Sequence, residues 1–445
     1  MTHLHTHEWG RVPVGAGVPK GFTRPQADAL LAAARAHPCG GREGTSILAD
    51  HHRHLTARQV IGVLAGKGCS LEILPKVDPA APDEDAPTVR RRLLGMLDVA
   101  LGLGLSEGGA APLARQDETL LDILIRLFAA RLLDEVRRGL PRRYVECEDD
   151  LSALRGRLDV VRQFTAHAVR PDRLACHFDA LVADTPLLQI MKAAVIYLGR
   201  FCRTYDSQRR LTELRHLLDE VSDVTLGELP WDRVQLDRSN RRWHSLLNLA
   251  KLFLKRDWQS THHDAKASDG ITLLFPMNVL FEAYIAALIR RALAGSDIDV
   301  VEQGGLRYCL GEWREGEETI GSVFQTKPDI ILRSGREVLA IIDTKWKTLG
   351  EPSDAKRGVS QSDVYQLMAY ARLYACDDLM LLYPTTLNSK PPFAHTFGIA
   401  AGYERLRVAH VDISRTRTTV RDELARLVHG LIRGEQRAVS GHPQA

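Results

Sequence analysis

The strongest constraint on the fold of this chain is a short apolar run that ends in charge. Residues 338–342 read Val-Leu-Ala-Ile-Ile and continue directly into Asp343, Thr344 and Lys345. A continuous apolar run of this length is typical of a central strand that is buried on both faces. Because buried charge is costly unless it is paired, packing alone does not explain why such a strand ends in Asp-Thr-Lys. The run therefore predicts a strand whose end carries chemistry.

A second acidic residue is placed beside the first by an expected hairpin. Residues 328–333 and 337–345 are predicted to form two strands joined by a Ser-Gly turn. Asp329 begins the first strand, and antiparallel pairing brings the start of one strand beside the end of the next. Side chains alternate along a strand, so Asp343 and Lys345 share a face. We expect these three residues to converge, with a chance salt bridge at a strand end as the alternative.

Two carboxylates and the strand-end backbone carbonyl of Thr344 would form a site made only of oxygen atoms. Such a site suits Mg²⁺, with Mn²⁺ as an alternative. A bound cation can activate a water molecule and stabilise the charge that develops in phosphodiester hydrolysis. Lys345 is expected to orient that water and to offset phosphate charge. The predicted metal ligands on this hairpin are Asp329, Asp343 and Thr344.

This spacing resembles the PD-(D/E)xK motif of restriction and repair nucleases. Pro328 and Asp329 are followed, after 13 intervening residues, by an Asp-Thr-Lys element that runs from Asp343 to Lys345. The middle residue is threonine, which the family tolerates. The resemblance implies a restriction-endonuclease-like α/β core that cleaves DNA. It also implies a metal-binding glutamate on an upstream helix, a position that Glu282 matches, with a solvated helix residue as the alternative.

A helix predicted for residues 362–374 carries a further pair. Gln366 and Tyr370 are four residues apart and therefore share a helix face. The pair resembles the Gln-xxx-Tyr helix of RecB-like nucleases, and ordinary helix packing is the alternative. The predicted catalytic residues are Asp329, Asp343, Lys345, Glu282, Gln366 and Tyr370.

A wider resemblance runs from about residue 60 to 375, to the McrC family. The segments that carry it are residues 61–64, 71–76, 92–97, 139–144, 154–157 and 276–282. McrC is the nuclease subunit of the McrBC modification-dependent restriction system. The resemblance implies that the N-terminal region docks on a hexameric McrB-like AAA+ GTPase and stimulates it. It further implies cleavage of double-stranded, methylated DNA, for which two nuclease domains would meet transiently.

The sequence lacks the phosphate-binding loop that the chain would need to hydrolyse a nucleotide itself. No G-x-x-x-x-G-K-[ST] string is present, and residues 62–68 are better explained as the turn of a β-hairpin. Any nucleotide-driven work is therefore expected from a partner. Two other hypotheses stay open: a stand-alone RecB-like repair nuclease and a non-catalytic regulator of a AAA+ motor.

The length of 445 residues favours two or three domains. We predict an α/β multidomain chain with a β-containing, mixed α+β docking domain at 1–110, a mainly helical middle region at 111–267 and the nuclease domain at 268–435. Seven dispersed cysteines without a CxxC pair fit a reducing compartment. The sequence shows neither a signal-peptide pattern nor a run of 18 apolar residues, so we expect a cytoplasmic protein without a membrane segment.

Several charged or histidine-rich positions allow two interpretations. Arginines 90–92 are either phosphate contacts or part of a solvated surface, and the net charge of +3 does not decide between them. Histidines at 3–7, at 51–54 and at 262–263 are either transition-metal ligands or residues of surface loops. In the second strand of the predicted hairpin, Glu72 and Lys76 are expected to be exposed.

Overall fold

The chain forms two compact units, and the first of them contains both an N-terminal and a C-terminal segment. One unit comprises Met1–Leu120 and Gln259–Ala445, and the other comprises Leu121–Trp258. The functional division predicted at residues 1–110, 111–267 and 268–435 stays a prediction. The structure is a computed structural model, and it describes residues 2–41, 44–79, 82–105, 118–167, 169–170, 172–238, 240–254, 271–313, 315, 320–347, 349, 356–386, 394–400 and 402–432.

Helices and strands both occur along the length of the described chain, as expected for a mixed α/β protein. The helices are α1 (Arg24–Ala36), α2 (Ala86–Leu101), α3 (Leu120–Arg138), α4 (Val160–Thr165), α5 (Pro186–Gly199), α6 (Tyr205–Leu217), α7 (His244–Leu254), α8 (Met277–Ala292), α9 (Gln361–Tyr374) and α10 (Arg417–Ile432). The strands are β1 (Thr2–His7), β2 (Arg11–Pro13), β3 (Leu48–Asp50), β4 (His54–Ala57), β5 (Val60–Gly66), β6 (Cys69–Leu74), β7 (Arg143–Leu151), β8 (Arg157–Leu158), β9 (Leu174–Val182), β10 (Leu273–Pro276), β11 (Asp299–Glu302), β12 (Tyr308–Leu310), β13 (Val323–Gln325), β14 (Ile330–Ser334), β15 (Glu337–Thr344), β16 (Asp378–Thr385), β17 (Ala394–Gly398) and β18 (Arg405–Asp412). Among the helices of the described residues, none has the length and apolar content that spanning a lipid bilayer requires.

Local sequence signals set the ends of several helices. Thr185 caps the start of α5 by accepting a hydrogen bond from the backbone N–H of Leu188, and Pro186 occupies the first turn. Helix α3 ends at Arg138, and Gly139 follows with a φ of +118°, which favours glycine. The predicted hairpin around residues 62–68 is confirmed as β5 and β6. The strands predicted at 328–333 and 337–345 and the helix predicted at 362–374 are confirmed as β14, β15 and α9.

A four-stranded sheet in the first unit has the order β1-β6-β5-β10. Strand β1 runs parallel to β6, and β10 pairs antiparallel with β5 although some 200 residues separate them. Strand β10 continues directly into α8, because Pro276 ends the strand and Met277 begins the helix. The N-terminal sheet therefore fixes where α8 starts.

The expectation that Glu72 and Lys76 are exposed is wrong. Strand β6 lies between β1 and β5 in the sheet and also contacts helices α1 and α2, and Glu72 is 0% exposed. Its carboxylate pairs with the guanidinium of Arg90 on α2 at 2.6 Å and accepts a hydrogen bond from the Leu120 backbone N–H at 2.8 Å. The Lys76 ammonium is mostly covered and pairs with Asp83 at 2.8 Å.

Neither of the two interpretations of arginines 90–92, phosphate contacts or a solvated surface, describes Arg90 and Arg92. Arg90 is buried against Glu72, and the mostly buried side chain of Arg92 pairs with Glu84 at 2.9 Å. These two arginines therefore hold α2 and its preceding segment in place, and they do not form the predicted phosphate-contacting patch.

A six-stranded sheet in the same unit has the order β11-β14-β15-β16-β18-β17. Strands β14 and β15 form an antiparallel hairpin, whereas β15, β16 and β18 run parallel. Strand β15 lies inside the sheet, as its apolar run predicts, and helices α8, α9 and α10 all contact it. The candidate residues at the end of β15 are therefore enclosed by sheet and helices.

The second unit contains a sheet that sequence analysis did not predict. Helices α3 to α7 occur there as expected, but β7, β9 and β8 form an additional three-stranded antiparallel sheet. Strand β7 reads Arg-Tyr-Val-Glu-Cys-Glu-Asp-Asp-Leu and is exposed or half-buried along its length. A strand this polar gives little hydrophobic periodicity, which is why the sequence pattern does not reveal it.

Candidate functional site

The β14–β15 hairpin brings the two predicted aspartates together. Ile330 pairs with Ile342, so Asp329 lies opposite Asp343 at the end of the hairpin. Asp329 Oδ2 accepts hydrogen bonds from the backbone N–H of Thr344 at 2.7 Å and from its hydroxyl at 2.9 Å. The predicted placement of Asp329 beside the end of the next strand is confirmed.

Asp343 is a buried carboxylate with an incomplete set of partners. It is 1% exposed, and its Oδ2 lies 2.7 Å from the Lys345 ammonium. Its Oδ1 accepts no hydrogen bond from the residues that the structure describes. A buried carboxylate oxygen without a donor is costly, and a hard cation is the kind of group that such an oxygen can bind. The residues present at the end of β15 therefore fit a divalent cation.

Lys345 is linked to both predicted residues of α9. Its ammonium donates to Gln366 Oε1 at 3.2 Å, and Gln366 Nε2 donates to the Tyr370 hydroxyl oxygen at 2.7 Å. The backbone N–H of Lys345 donates to Leu382 O on β16, so the strand end is held from the other side as well. The pair on α9 thus shares a face, as predicted, and that face meets the lysine.

Glu282 lies on α8 on the approach to the same hairpin. Burial and, to a smaller extent, the negative charge of Asp329 raise the pKa of its carboxyl from 4.5 to about 7, against a hydrogen bond with Gln303 that acts to lower it. A group feels such repulsion only from a neighbouring charge. Helix α8, which carries Glu282, contacts β15 of the hairpin, and the role of Glu282 as an acid of the site stays a prediction.

The pKa values of Asp329 and Asp343 show that placing these two acids together costs free energy. Burial and, to a smaller extent, repulsion by Asp329 raise the pKa of Asp343 to about 6, although the charge of Lys345 acts to lower it. Burial also raises the pKa of Asp329, against the hydrogen bonds from Thr344. Burial acts to lower the pKa of the Lys345 ammonium, but the neighbouring carboxylates outweigh it and the pKa rises. A divalent cation at these carboxylates would offset their repulsion.

Sequence analysis missed an acid that lies next to this set. Asp363 is buried in the first turn of α9, and its Oδ2 pairs with the Lys347 ammonium at 2.6 Å and accepts from the Tyr383 hydroxyl at 3.3 Å. Its charge also acts on Asp343. Asp363 precedes Gln366 by three residues, so the helical spacing that identified the pair on α9 was a signal for this residue too.

The histidine-rich segments do not add a metal site to the part of the chain that is described. Residues 262–264 lie outside it. Within the described ranges, no group of three or more His, Cys, Asp or Glu side chains is arranged to hold a metal ion. A cation at the hairpin would accordingly be held by two carboxylates, a backbone carbonyl and water, a ligand set that Mg²⁺ commonly uses. The metal ligands predicted from the sequence stay a prediction.

Comparison with known families identifies a match along most of the chain. The family model described as McrBC 5-methylcytosine restriction system component matches residues 55–384. These limits include strands β5, β6 and β10 of the N-terminal sheet, the whole second unit and the hairpin with α9. No curated protein matches the chain.

Solved structures share the overall fold. A chain from the half-complex of the tetradecameric assembly of Thermococcus gammatolerans McrB AAA+ hexamers with bound McrC is similar at a TM-score of 0.72 and 22% identity, over 97% of this chain and 100% of that one. A chain of the cryo-EM structure of the Thermococcus gammatolerans McrBC complex is similar at a TM-score of 0.53 and 23% identity, over 66% and 88%. At these identities the likeness shows a common fold.

Proposed function

The chain belongs to the family of McrBC 5-methylcytosine restriction system components, and from this premise we propose that it is the DNA-cleaving subunit of such a system. The observation that carries the proposal is the end of β15. There the buried, under-partnered Asp343 lies opposite Asp329 and beside Lys345. Packing gives no reason to bury two acids and a lysine together, whereas metal-dependent hydrolysis of a phosphodiester requires such a set.

The proposed metal is Mg²⁺, with Mn²⁺ as the alternative. Asp329, Asp343 and the backbone carbonyl of Thr344 would hold it, with Glu282 beside them. When bound, such a cation lowers the pKa of a coordinated water and offsets negative charge on the phosphate. The hydrogen bonds from Thr344 to Asp329 fix the orientation of that carboxylate and of the adjacent carbonyl.

Lys345 supplies a positive charge on the side where the scissile phosphate would lie. Gln366 accepts a hydrogen bond from the ammonium, and Tyr370 accepts one from Gln366, so the lysine is held by a short chain of polar groups. A prepositioned ammonium can stabilise charge that develops during hydrolysis without having to reorganise. Gln366 and Tyr370 are therefore proposed to act through Lys345, and Lys345 on the phosphate or the attacking water.

The nuclease fold proposed for residues 268–435 is the PD-(D/E)xK type. The support is an antiparallel hairpin whose second strand carries the acid and the lysine, a parallel strand next to it and a helix that follows. The Pro328–Asp329 and Asp343–Lys345 elements occupy the hairpin positions that the motif requires.

The proposed partners are a hexameric McrB-like AAA+ GTPase and double-stranded, methylated DNA. The support is family membership together with the structural likeness to chains of the Thermococcus gammatolerans assemblies. The proposal assigns nucleotide hydrolysis and recognition of the modified base to that partner. Cutting both strands would bring two nuclease domains together transiently.

The test is cleavage of a methylated plasmid by the full chain with its AAA+ partner, GTP and Mg²⁺. We expect the wild type to cut and Asp343→Asn to lose more than about a thousandfold of the rate, since metal stabilisation contributes several kcal/mol. Glu423→Gln is the matched control, because Glu423 is also a buried acid of the first unit but lies on α10. This control should cut like the wild type.

Three results would contradict the proposal. Unchanged cleavage by Asp343→Asn would show that the residues at the end of β15 do not catalyse the cleavage. Cutting of free DNA ends by the isolated chain, without partner or GTP, would support the stand-alone repair nuclease suggested by the Gln366–Tyr370 pair. Absence of cleavage by the wild type, with stimulation of the GTPase retained, would make the chain a regulator.

A further inference from the structure

Glu8 is a buried carboxylate that the proposed chemistry does not use. It lies in the turn after β1 and is 1% exposed. Its Oε2 accepts hydrogen bonds from the Lys76 backbone N–H and from the Trp346 indole N–H, both at 3.0 Å. Its Oε1 accepts none from the described residues, and burial raises the pKa of the group to about 7. An acid is therefore kept here at an energetic cost.

Trp346 connects this acid to the candidate site. It directly follows Lys345, and its ring packs against Phe281 with centroids 5.5 Å apart at 60°. Phe281 directly precedes Glu282 on α8. The indole thus lies between the strand end that carries the lysine and the helix that carries the glutamate, and it is only 9% exposed.

Glu8 is itself held firmly by the N-terminal sheet. Its backbone N–H donates to Leu74 O at 2.9 Å, and Lys76 follows the same strand, β6. The sheet also fixes the start of α8, since Pro276 at the end of β10 pairs with Val60 on β5. Two independent contacts therefore run from the N-terminal sheet to the elements that carry Lys345 and Glu282.

We propose that Glu8 is a positioning residue for the candidate site. Its carboxylate fixes the Trp346 indole, and the indole keeps Lys345 in position relative to Glu282. The proposal rests on the nuclease function proposed above. It makes Glu8 part of the scaffold for cleavage, although about 320 residues separate Glu8 from Asp329. Groups that orient a catalytic residue act through hydrogen bonds of this kind.

The experiment compares Glu8→Ala, Glu8→Gln and Trp346→Phe in the full chain with its partner. Glu8→Ala removes the acceptor, and Trp346→Phe keeps a ring on Phe281 but removes the donor. Each should lower the cleavage rate about 10- to 100-fold, as outer-shell substitutions do. Glu8→Gln should keep most of the rate, because its amide oxygen can accept both hydrogen bonds. Rescue by glutamine would show that the acceptor matters and the charge does not.

A second readout follows the indole itself. In an NMR spectrum of the indole N–H groups, the Trp346 resonance is identified by its loss in Trp346→Phe. We expect Glu8→Ala to shift it and to speed its exchange with solvent, and Glu8→Gln to preserve it. The double variant Glu8→Ala/Trp346→Phe should cleave about as well as either single variant, because both remove the same interaction.

Leu4→Ala controls for loss of stability. Leu4 lies on the same strand, β1, and packs on the N-terminal core. This variant should unfold at a lower temperature yet cleave like the wild type where it is folded. Cleavage by Glu8→Ala at the wild-type rate, together with an inactive Asp343→Asn, would overturn this inference alone. Equal losses of cleavage rate in Glu8→Ala and Leu4→Ala would overturn it as well. A wild type that does not cleave would overturn both proposals.

Discussion

Two buried carboxylates in the first unit, Glu72 and Asp343, have opposite relations to their surroundings. Both occupy interior strands, and they are 0% and 1% exposed. Glu72 receives a bidentate pairing from Arg90 and a backbone N–H from Leu120. Asp343 has one ion pair with Lys345, faces the negative charge of Asp329 and keeps an oxygen without a donor among the described residues.

The difference separates a structural acid from a functional one. A buried charge that is completely partnered stabilises a particular packing, and its removal leaves a buried cation behind. A buried charge that is incompletely partnered costs stability in the absence of another ligand, and strained groups of this kind cluster where ligands bind. Burial alone does not distinguish Glu72 from Asp343. An oxygen without a donor among the described residues is not sufficient either, since Glu423 on α10 also has one. Asp343 differs by lying opposite a second carboxylate, Asp329, and beside Lys345.

The largest stability effect is expected at the structural acid. Glu72→Ala leaves the Arg90 guanidinium buried without a counter-charge and should lower the free energy of unfolding by about 3–5 kcal/mol. Chemical denaturation of the full chain measures it. A change below about 1 kcal/mol, the value typical of an exposed ion pair, would contradict the assignment of Glu72 as a fully partnered structural acid.

The functional acid should give a smaller change of opposite sign. In metal-free protein at pH 8, above its raised pKa, Asp343→Asn removes a costly buried charge and should raise the free energy of unfolding by about 1–3 kcal/mol. Lys345 keeps its hydrogen bond to Gln366. The gain should shrink at pH 5, where Asp343 is largely protonated. A loss of stability at pH 8 would mean that Asp343 is partnered after all.

The smallest effect is a change in pH dependence. Since burial raises the pKa of Glu282 from 4.5 to about 7, the folded state binds its proton more tightly than the unfolded chain does. This group therefore favours folding at low pH, and its contribution turns against folding as pH rises from about 4.5 to 7. In metal-free protein, Glu282→Gln should flatten the fall in stability across this window. An identical slope in both proteins would contradict the assigned environment.

The sequence predicts the centre of the site because local rules determine it. The Ser-Gly turn starts the hairpin with Ser334 paired to Glu337, and a bulge between Leu332 and Arg333 shifts the register by one residue, so that Asp329 lies opposite Asp343. Helical spacing alone places Gln366 and Tyr370 on one face. Neither inference requires knowledge of any distant part of the chain.

The surroundings of the site could not be predicted in the same way. The contact of Glu8 with Trp346 joins residues that are 338 positions apart, and the pairing of β10 with β5 is also non-local. Glu72 was misjudged because a strand that contacts a helix through its polar face looks, in sequence, like a half-buried strand whose polar face meets solvent. Its partner Arg90 became evident only from the packing of α2.

The most direct test of the central claim maps the cation on the chain itself. Fe²⁺ replaces Mg²⁺, and ascorbate and peroxide then cut the backbone beside the bound ion. We expect fragments that end near Asp329 and Asp343, and excess Mg²⁺ should suppress them. The fragments should be absent in Asp343→Asn and retained in Glu423→Gln. Cuts confined to the histidine-rich segments, or an unchanged pattern in Asp343→Asn, would contradict a metal site at the end of β15.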